Sequence, residues 1–189
     1  MKVALKEWAL VIEALARGEQ VFLLRKGGIS EGRRGFELRH RKFLFFPTWE
    51  HQHVESVKSE YRDLFQQLQP RDPEAVAIAY SAEVTDIAPA PPRDRFRQLA
   101  PHHIWTESFI DLRYGYRPDL PLFLVVVRVH RLPRVAGIAN DRRYAGCRSW
   151  VDLLEEVSTA ESRPAVEEDP FELQRQAILS LAKQAEGNG

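Results

Sequence analysis

Three stretches of the chain combine residue types that bind other molecules. The first is Arg25-Lys26-Gly27-Gly28, which follows a short apolar run of strand length. Backbone amides of consecutive glycines beside two cations can cradle a phosphate group. The same four residues are equally typical of a polar hairpin turn. We therefore expect either a phosphate-binding loop or a turn at this point.

The second stretch crowds polar groups into a predicted strand-to-helix junction, Phe46-Pro47-Thr48-Trp49-Glu50-His51-Gln52-His53. Helix N-termini attract anions, and histidine titrates near neutral pH. We expect Thr48, His51 and Gln52 to contribute to a binding site. In an enzyme, His51 would act as a general base beside Glu50. Helix capping and aromatic packing are the alternative explanation.

The third stretch interleaves arginines with aromatic residues, Arg142-Arg143-Tyr144-Ala145-Gly146-Cys147-Arg148-Ser149-Trp150. Arginines contact phosphates and aromatic rings stack on bases, so this mixture is typical of nucleic-acid binding. We expect Arg142, Arg143, Arg148 and Trp150 to take part. A basic surface loop that ends in an anchoring tryptophan has the same composition.

No familiar catalytic signature accompanies these stretches. The sequence contains no Gly-x-Gly-x-x-Gly, P-loop, Gly-x-Ser-x-Gly or His-Glu-x-x-His pattern. No acidic residue stands two positions before any lysine, so the Glu-x-Lys core of restriction-type nucleases is missing. Cys147 is the only cysteine, which excludes a disulfide framework, and we expect an inert thiol. We expect neither a metal nor a cofactor.

The elements that must position these stretches belong to a chain of 189 residues, of which 44% are apolar. This length and composition indicate a globular protein with one sizeable core. We expect an α+β domain over residues 1–157, with an internal division near 88–93. An acidic linker and a C-terminal helix follow over 158–189.

The net charge of zero conceals an asymmetry. Residues 1–150 carry 24 basic against 18 acidic side chains, a balance of +6, and residues 151–189 carry 3 against 9, a balance of −6. Arginine provides 21 of the 27 basic residues, a preference that suits phosphate recognition or merely reflects codon usage. The acidic tail either folds back over the basic body or keeps it soluble.

Hydrophobic periodicity predicts a mixed or antiparallel sheet with flanking helices. We expect helices over 4–17, 54–69, 93–99, 106–114, 149–157 and 169–184. We expect strands over 20–24, 36–46, 75–87 and 122–127, the first two forming an antiparallel pair. Eight residues are predicted to be buried: Trp8, Ile12, Phe22, Leu24, Phe45, Leu64, Leu124 and Val126.

Four blocks of the chain together resemble a known family. They are Lys6-Glu7-Trp8, Leu23-Leu24-Arg25-Lys26-Gly27-Gly28-Ile29, Leu44-Phe45-Phe46-Pro47-Thr48 with Glu50-His51-Gln52, and Tyr144-Ala145-Gly146-Cys147-Arg148-Ser149-Trp150. Over residues 3–155 they are similar to the prokaryotic family catalogued as domain of unknown function 1802. Some members carry a restriction-endonuclease-like domain, which implies an association with DNA restriction or modification. This chain lacks the Glu-x-Lys core of such a domain.

A shorter pattern in the second half is similar in order to PUA-like barrels, including the EVE and ASCH families. It comprises Ile78–Val84, Phe123–His130 and the following Arg131-Leu132-Pro133-Arg134. Those families bind RNA or modified bases, so the resemblance implies a nucleic-acid partner.

Three functions follow as hypotheses. The first is a non-catalytic nucleic-acid-binding module associated with restriction or defence. The second is a small enzyme with its site at the Thr48–His53 junction, and the third is a scaffold for a protein partner. The early charges Lys2, Lys6 and Glu7 argue against a signal peptide, and no apolar run is long enough to span a membrane. We therefore expect a cytoplasmic protein.

Overall fold

The computed structural model describes residues 1–26, 38–68, 72, 74–146 and 148–183. Within these residues the chain forms five α-helices and a seven-stranded sheet, with 3-10 turns between them. The strands are β1 (Val3–Trp8), β2 (Phe22–Arg25), β3 (Lys42–Thr48), β4 (Ala75–Pro89), β5 (Phe123–Ala139), β6 (Trp150–Asp152) and β7 (Arg163–Pro164). The helices are α1 (Ala9–Arg17), α2 (Arg62–Gln67), α3 (Arg93–Phe96), α4 (Glu107–Gly115) and α5 (Glu168–Lys183).

The sheet is mixed. Its order is β2-β5-β4-β3-β1-β6, and β7 pairs with β5 outside this path. β1 runs parallel to β3, whereas the other pairs are antiparallel. The predicted α+β class with a mixed sheet and flanking helices is confirmed.

The sheet curls upon itself. β2 and β1 lie four positions apart in the strand order, yet Arg25 of β2 forms an ion pair with Glu7 of β1 at 2.8 Å. Two register irregularities in the long β4–β5 pair, near Ile78 and Val84, help such a bend, because bulges increase local twist. The curled sheet therefore has an inner and an outer face.

Each face of the sheet packs against its own hydrophobic cluster. Leu5, Phe43 and Phe45 belong to the larger inner cluster, together with residues of α1, α4 and α5. Ala4 and Leu44 belong to a smaller outer cluster. This division follows from the period of two in a strand, which sends successive side chains to opposite faces.

Seven of the eight residues predicted to be buried are buried, and Trp8 is half-buried against the inner cluster. The predicted strands in β4 and β5 are confirmed, although β5 continues to Ala139. Helix α4 is also confirmed, and its predicted cap is present, because the Thr106 hydroxyl accepts a hydrogen bond from the Phe109 amide.

Four predicted features are wrong. Residues 3–8 form strand β1 rather than the first half of a helix, because β3 and β6 pair with them. β2 pairs with β5 and not with β3. The expected helix over 54–69 is reduced to two 3-10 turns and the short α2. The expected helix over 149–157 is absent: Trp150–Asp152 form strand β6, which pairs with β1, and the rest of this range is irregular.

The acidic C-terminal segment packs against the body of the protein. Phe171, Ile178 and Ala182 of α5 are buried in the inner cluster. Arg128 of β5 pairs with Glu168 at 3.1 Å and lies over the Phe171 ring. The division between residues 1–157 and 158–189 stays a prediction.

Candidate nucleic-acid interface

A cleft of about 360 Å³ opens where the C-terminal ends of β1 and β3 meet the segment after β5. This volume lies in the range of roughly 300–1,000 Å³ that is usual for ligand pockets. We call it the Lys6 cleft. Its lining residues are Lys6, Phe46, Thr48, Trp49, Glu50, Val76, Asn140, Asp141, Arg142, Tyr144 and Ala145.

Strand pairing places three of these side chains on one face. Lys6 of β1 lies opposite Phe46 of β3 in the parallel register. Thr48 follows Phe46 by two residues, so it projects from the same outer face. The Lys6 ammonium lies 5.7 Å from the centroid of the Phe46 ring, a cation–π geometry, and donates to the Gly146 carbonyl at 3.1 Å.

Two aromatic residues complete the wall of the cleft. The ring of Tyr144 meets Phe46 edge to face at 5.4 Å, and its hydroxyl accepts a hydrogen bond from the Leu154 amide at 2.9 Å. The Trp49 indole donates to the Leu68 carbonyl. These bonds fix both rings, so the aromatic wall exists before any ligand arrives.

Charges of both signs border the cleft. Asp141 accepts from the backbone and side chain of Arg143 at 2.8–3.0 Å, and these hydrogen bonds lower the pKa of the Asp141 carboxyl to about 2. Arg142 is exposed, and its guanidinium forms no ion pair or hydrogen bond with any of the described residues. The Glu50 carboxylate is likewise exposed and unpaired within the described part of the chain.

The structure brings together parts of two predicted stretches. Thr48 and Glu50 from the second stretch and Arg142 from the third line the same cleft. His51 is exposed beside Glu50 with a φ of +59°, and it is not among the lining residues. Gln52 is buried, and its Oε1 accepts a hydrogen bond from the Leu10 amide at the start of α1.

The remaining residues of the third stretch have separate surroundings. Arg143 is held by Asp141, and Arg148 is exposed. Trp150 packs edge to face against Phe43 at 5.2 Å, on the inner side of the sheet. Cys147 lies outside the described residues.

The first predicted stretch lies away from the Lys6 cleft. Arg25 pairs with Glu7, which follows Lys6 and therefore projects from the opposite face of β1. Lys26 is buried, and its ammonium donates to the carbonyls of Arg113 and Tyr114 at the end of α4. Burial lowers the pKa of Lys26. Gly27 and Gly28 lie outside the described residues, and a binding role for the four residues stays a prediction.

Sequence reasoning did not select several lining residues of the cleft. Lys6 belonged to a block that resembled the family but was assigned to a helix. Phe46 and Tyr144 stand in the second and third stretches, but neither is among the predicted binding residues, and both are buried in the outer cluster. The sequence carries no local signal for Lys6, because Ala4 and Leu5 are both apolar and Lys6 and Glu7 are both charged, so the period of two that indicates a strand is missing.

Neither a metal site nor a membrane span emerges from the part of the chain that the structure describes. No group of three or more histidine, cysteine, aspartate or glutamate side chains there could hold a metal ion. No helix among those residues combines the length and the apolar character that a bilayer crossing requires.

Comparison with known proteins identifies the family. The profile of the domain of unknown function DUF1802 matches residues 4–177, and the chain belongs to this family. The match extends beyond the expected limit of residue 155 and includes Phe171 of α5. No curated protein matches the chain.

Among solved structures, the fold is similar to that of ASCH from Zymomonas mobilis. The crystal structure of that protein shares 10% sequence identity at a TM-score of 0.42, with 95% of this chain and 94% of the other covered. A point variant of it shares 12% identity at a TM-score of 0.43, with 80% and 88% covered.

Proposed function

We propose that this member of the DUF1802 family binds nucleic acid through the Lys6 cleft and does not cut it. The observation that carries the proposal is the unpaired Arg142 guanidinium at the rim of a cleft walled by aromatic rings. Binding of single strands combines these two elements, because a cation holds the backbone while a base stacks on an accessible ring. Here that ring is the half-buried Trp49, since Phe46 and Tyr144 are buried behind it in the wall. The excess of six basic side chains over residues 1–150 favours the same class of ligand.

The distribution of charge favours an unpaired base inside the cleft and a phosphate at its rim. Lys6 is already engaged with Gly146 and Phe46, so its ammonium lies within the cleft as a fixed donor. Glu50 can accept hydrogen bonds from exocyclic amino groups of bases, as carboxylates do in base recognition. Arg142 is exposed and suits the backbone phosphate.

The absence of cutting is part of the proposal. Within the described residues, Glu50 is the carboxylate of the cleft that no cation neutralises, since Arg143 holds Asp141. Metal-assisted phosphodiester cleavage uses several ligands around one or two ions. One free carboxylate does not provide such a set.

The second hypothesis, an enzyme at the strand-to-turn junction, keeps one supporting observation. His51 has a positive φ, a conformation that costs energy and is enriched at functional sites. Cleavage or conversion of a nucleic acid by the purified protein would favour that enzyme over a binding module. Association with restriction or defence systems rests on the family resemblance and is proposed on that basis alone.

Fluorescence anisotropy with labelled single- and double-stranded oligonucleotides at low salt tests the proposal. We expect tighter binding of the single strand, and affinity that falls with rising salt. Arg142→Gln should weaken binding and reduce the slope of log affinity against log salt by about 0.7, the value for one phosphate contact on a single strand. Arg97→Gln removes the same charge from an exposed site outside the cleft and is the matched control.

If Arg142→Gln and Arg97→Gln weaken binding equally, the affinity depends on the overall positive charge of the protein and not on the Lys6 cleft. No binding by the wild-type protein at tens of micromolar would remove the proposal and leave the partner scaffold. Release of a shortened oligonucleotide would contradict the absence of cutting.

A further inference from the structure

A second group of charged residues lies on the face of β1 opposite the Lys6 cleft. Its members come from three elements: Glu7 from β1, Arg25 from β2 and Arg113 from α4. Helix α4 reaches this position because Phe109 packs against Trp8 with ring centroids 5.2 Å apart. One helical turn later, Arg113 donates to the Leu24 carbonyl at 3.5 Å, next to Arg25.

The group has more positive than negative charge. Arg25 donates to the Glu7 carboxylate at 2.8 Å and to the Lys6 carbonyl at 3.3 Å. Glu7 also accepts from the Trp8 amide at 2.8 Å, so both of its oxygens are engaged. Arg113 has no carboxylate partner among the described residues. The group therefore has two guanidiniums and one carboxylate, which pairs with Arg25.

The cations of this group are also poorly solvated. The Arg25 side chain is only 16% exposed, and its Nε is buried without a hydrogen-bond partner. Burial and the neighbouring charge of Arg25 lower the pKa of Arg113, while Glu7 raises it. Lys26 adds a third positive charge close by. Asp119 raises the pKa of Lys26, and Tyr116 raises the pKa of Arg113.

We propose that Arg25 and Arg113 form a binding site for a phosphate group, either free or as a phosphate ester. A guanidinium is a rigid fork of five donors, and within the described residues Arg113 uses one of them in a single long contact. Phosphate offers three or more acceptor oxygens and a charge between −1 and −2 at neutral pH, which suits two guanidiniums of which only Arg25 has a carboxylate partner among the described residues. This proposal is independent of the Lys6 cleft, which lies on the other face of β1.

Thermal unfolding in sodium phosphate, compared with sodium chloride of equal ionic strength, tests the site. For a dissociation constant of about 1 mM, 20 mM phosphate should raise the Tm by roughly 4–7 °C over chloride. Acetate, which has two oxygens and a single charge, should add little. Adenosine 5′-monophosphate is the second ligand, and stabilisation by it would identify a phosphate ester, whereas stabilisation by inorganic phosphate alone would identify the free ion.

Arg113→Gln should abolish the phosphate-specific rise, and Arg97→Gln should retain it. Arg113→Lys keeps the charge without the fork and should retain less than half of the rise, so it replaces the glutamine variant if that protein fails to fold. An equal Tm of the wild-type protein in chloride, in phosphate and in adenosine 5′-monophosphate would overturn the proposal. An undiminished rise in Arg113→Gln, or an equal rise in acetate, would overturn it as well. Because the readout is melting without oligonucleotide, failure here leaves the Arg142 experiment unaffected.

Discussion

Truncation of Phe171 tests whether the acidic C-terminal helix is part of the cooperative fold. Phe171 is 3% exposed and packs in the inner cluster, with the Arg128 guanidinium 4.5 Å from the centroid of its ring. Replacement of a buried phenylalanine by alanine typically costs about 3–5 kcal/mol, since apolar contact is lost and a cavity remains. For a protein of this size, each kcal/mol corresponds to roughly 2–4 °C in Tm. We therefore expect Phe171→Ala to lower the Tm by about 6–20 °C.

Leu173→Ala is the matched control, because Leu173 stands two residues further along the same helix and is 73% exposed. Its truncation should change the free energy of unfolding by no more than about 0.5 kcal/mol. Differential scanning calorimetry of both variants measures the effect. A wild-type Tm in Phe171→Ala, or a separate early transition for α5, would refute a shared core. The tail would then form a unit of its own, as the predicted boundary at residue 157 implies.

Three further predictions concern polar groups that are buried or half-buried. Burial lowers the pKa of His103 to about 3, so the unfolded chain binds a proton that the folded chain excludes between pH 6.5 and 3. His103 should therefore lower the free energy of unfolding by about 1.4 kcal/mol per pH unit below pH 6.5. Urea titrations at pH 7 and 5 should show a smaller pH dependence for His103→Phe than for the wild-type protein. Asp86→Asn should lower the free energy of unfolding by about 1.5–3 kcal/mol at pH 7, because Arg175 donates two hydrogen bonds to the Asp86 carboxylate. Since these bonds lower the pKa of that carboxyl, the difference between variant and wild type should vanish well below pH 3.8, where Asp86 is protonated. Lys26→Met should cost about 1–3 kcal/mol in urea unfolding, because the carbonyls at the end of α4 lose their donor, and an unchanged midpoint would contradict this role.

Local signals were sufficient where an element is long or capped. β4 and β5 extend over 15 and 17 residues, so their apolar pattern was clear without knowledge of their partners. The Thr106 cap and the Asp169-Pro170 pair lie where helices α4 and α5 begin, as expected from capping preferences. Such signals depend on neighbouring residues alone.

Short strands could not be assigned in this way, because distant segments determine them. Leu5, Trp8 and Ile12 are compatible with one face of a helix, yet the backbone of residues 3–8 finds hydrogen-bond partners in β3 and β6. Serine often caps helices, but the carbonyl of Ser149 accepts a hydrogen bond from the Lys6 amide of β1. Tertiary pairing outweighs local propensity when a segment is only a few residues long.

The same dependence explains why the candidate site was only partly found. Thr48, Glu50 and Arg142 carry chemistry that is visible in the sequence, and the structure brings them to one cleft. Lys6 and Tyr144 could be added only once β1 was known to be a strand beside β3. The expected pairing of the first two predicted strands would bring Arg25 near Thr48, whereas the sheet separates β2 from β3 by two strands.

The dipeptide Lys6-Glu7 explains how four distant blocks come to depend on one strand. Lys6 contacts Phe46 and Gly146 on the outer face, whereas Glu7 holds Arg25 on the inner face. A slip of one residue in the pairing of β1 would exchange these faces and disrupt both groups at once. The blocks that mark the family therefore need not converge on a single cleft. They share β1, which carries the Lys6 cleft on one face and the ion pair of Glu7 with Arg25 on the other.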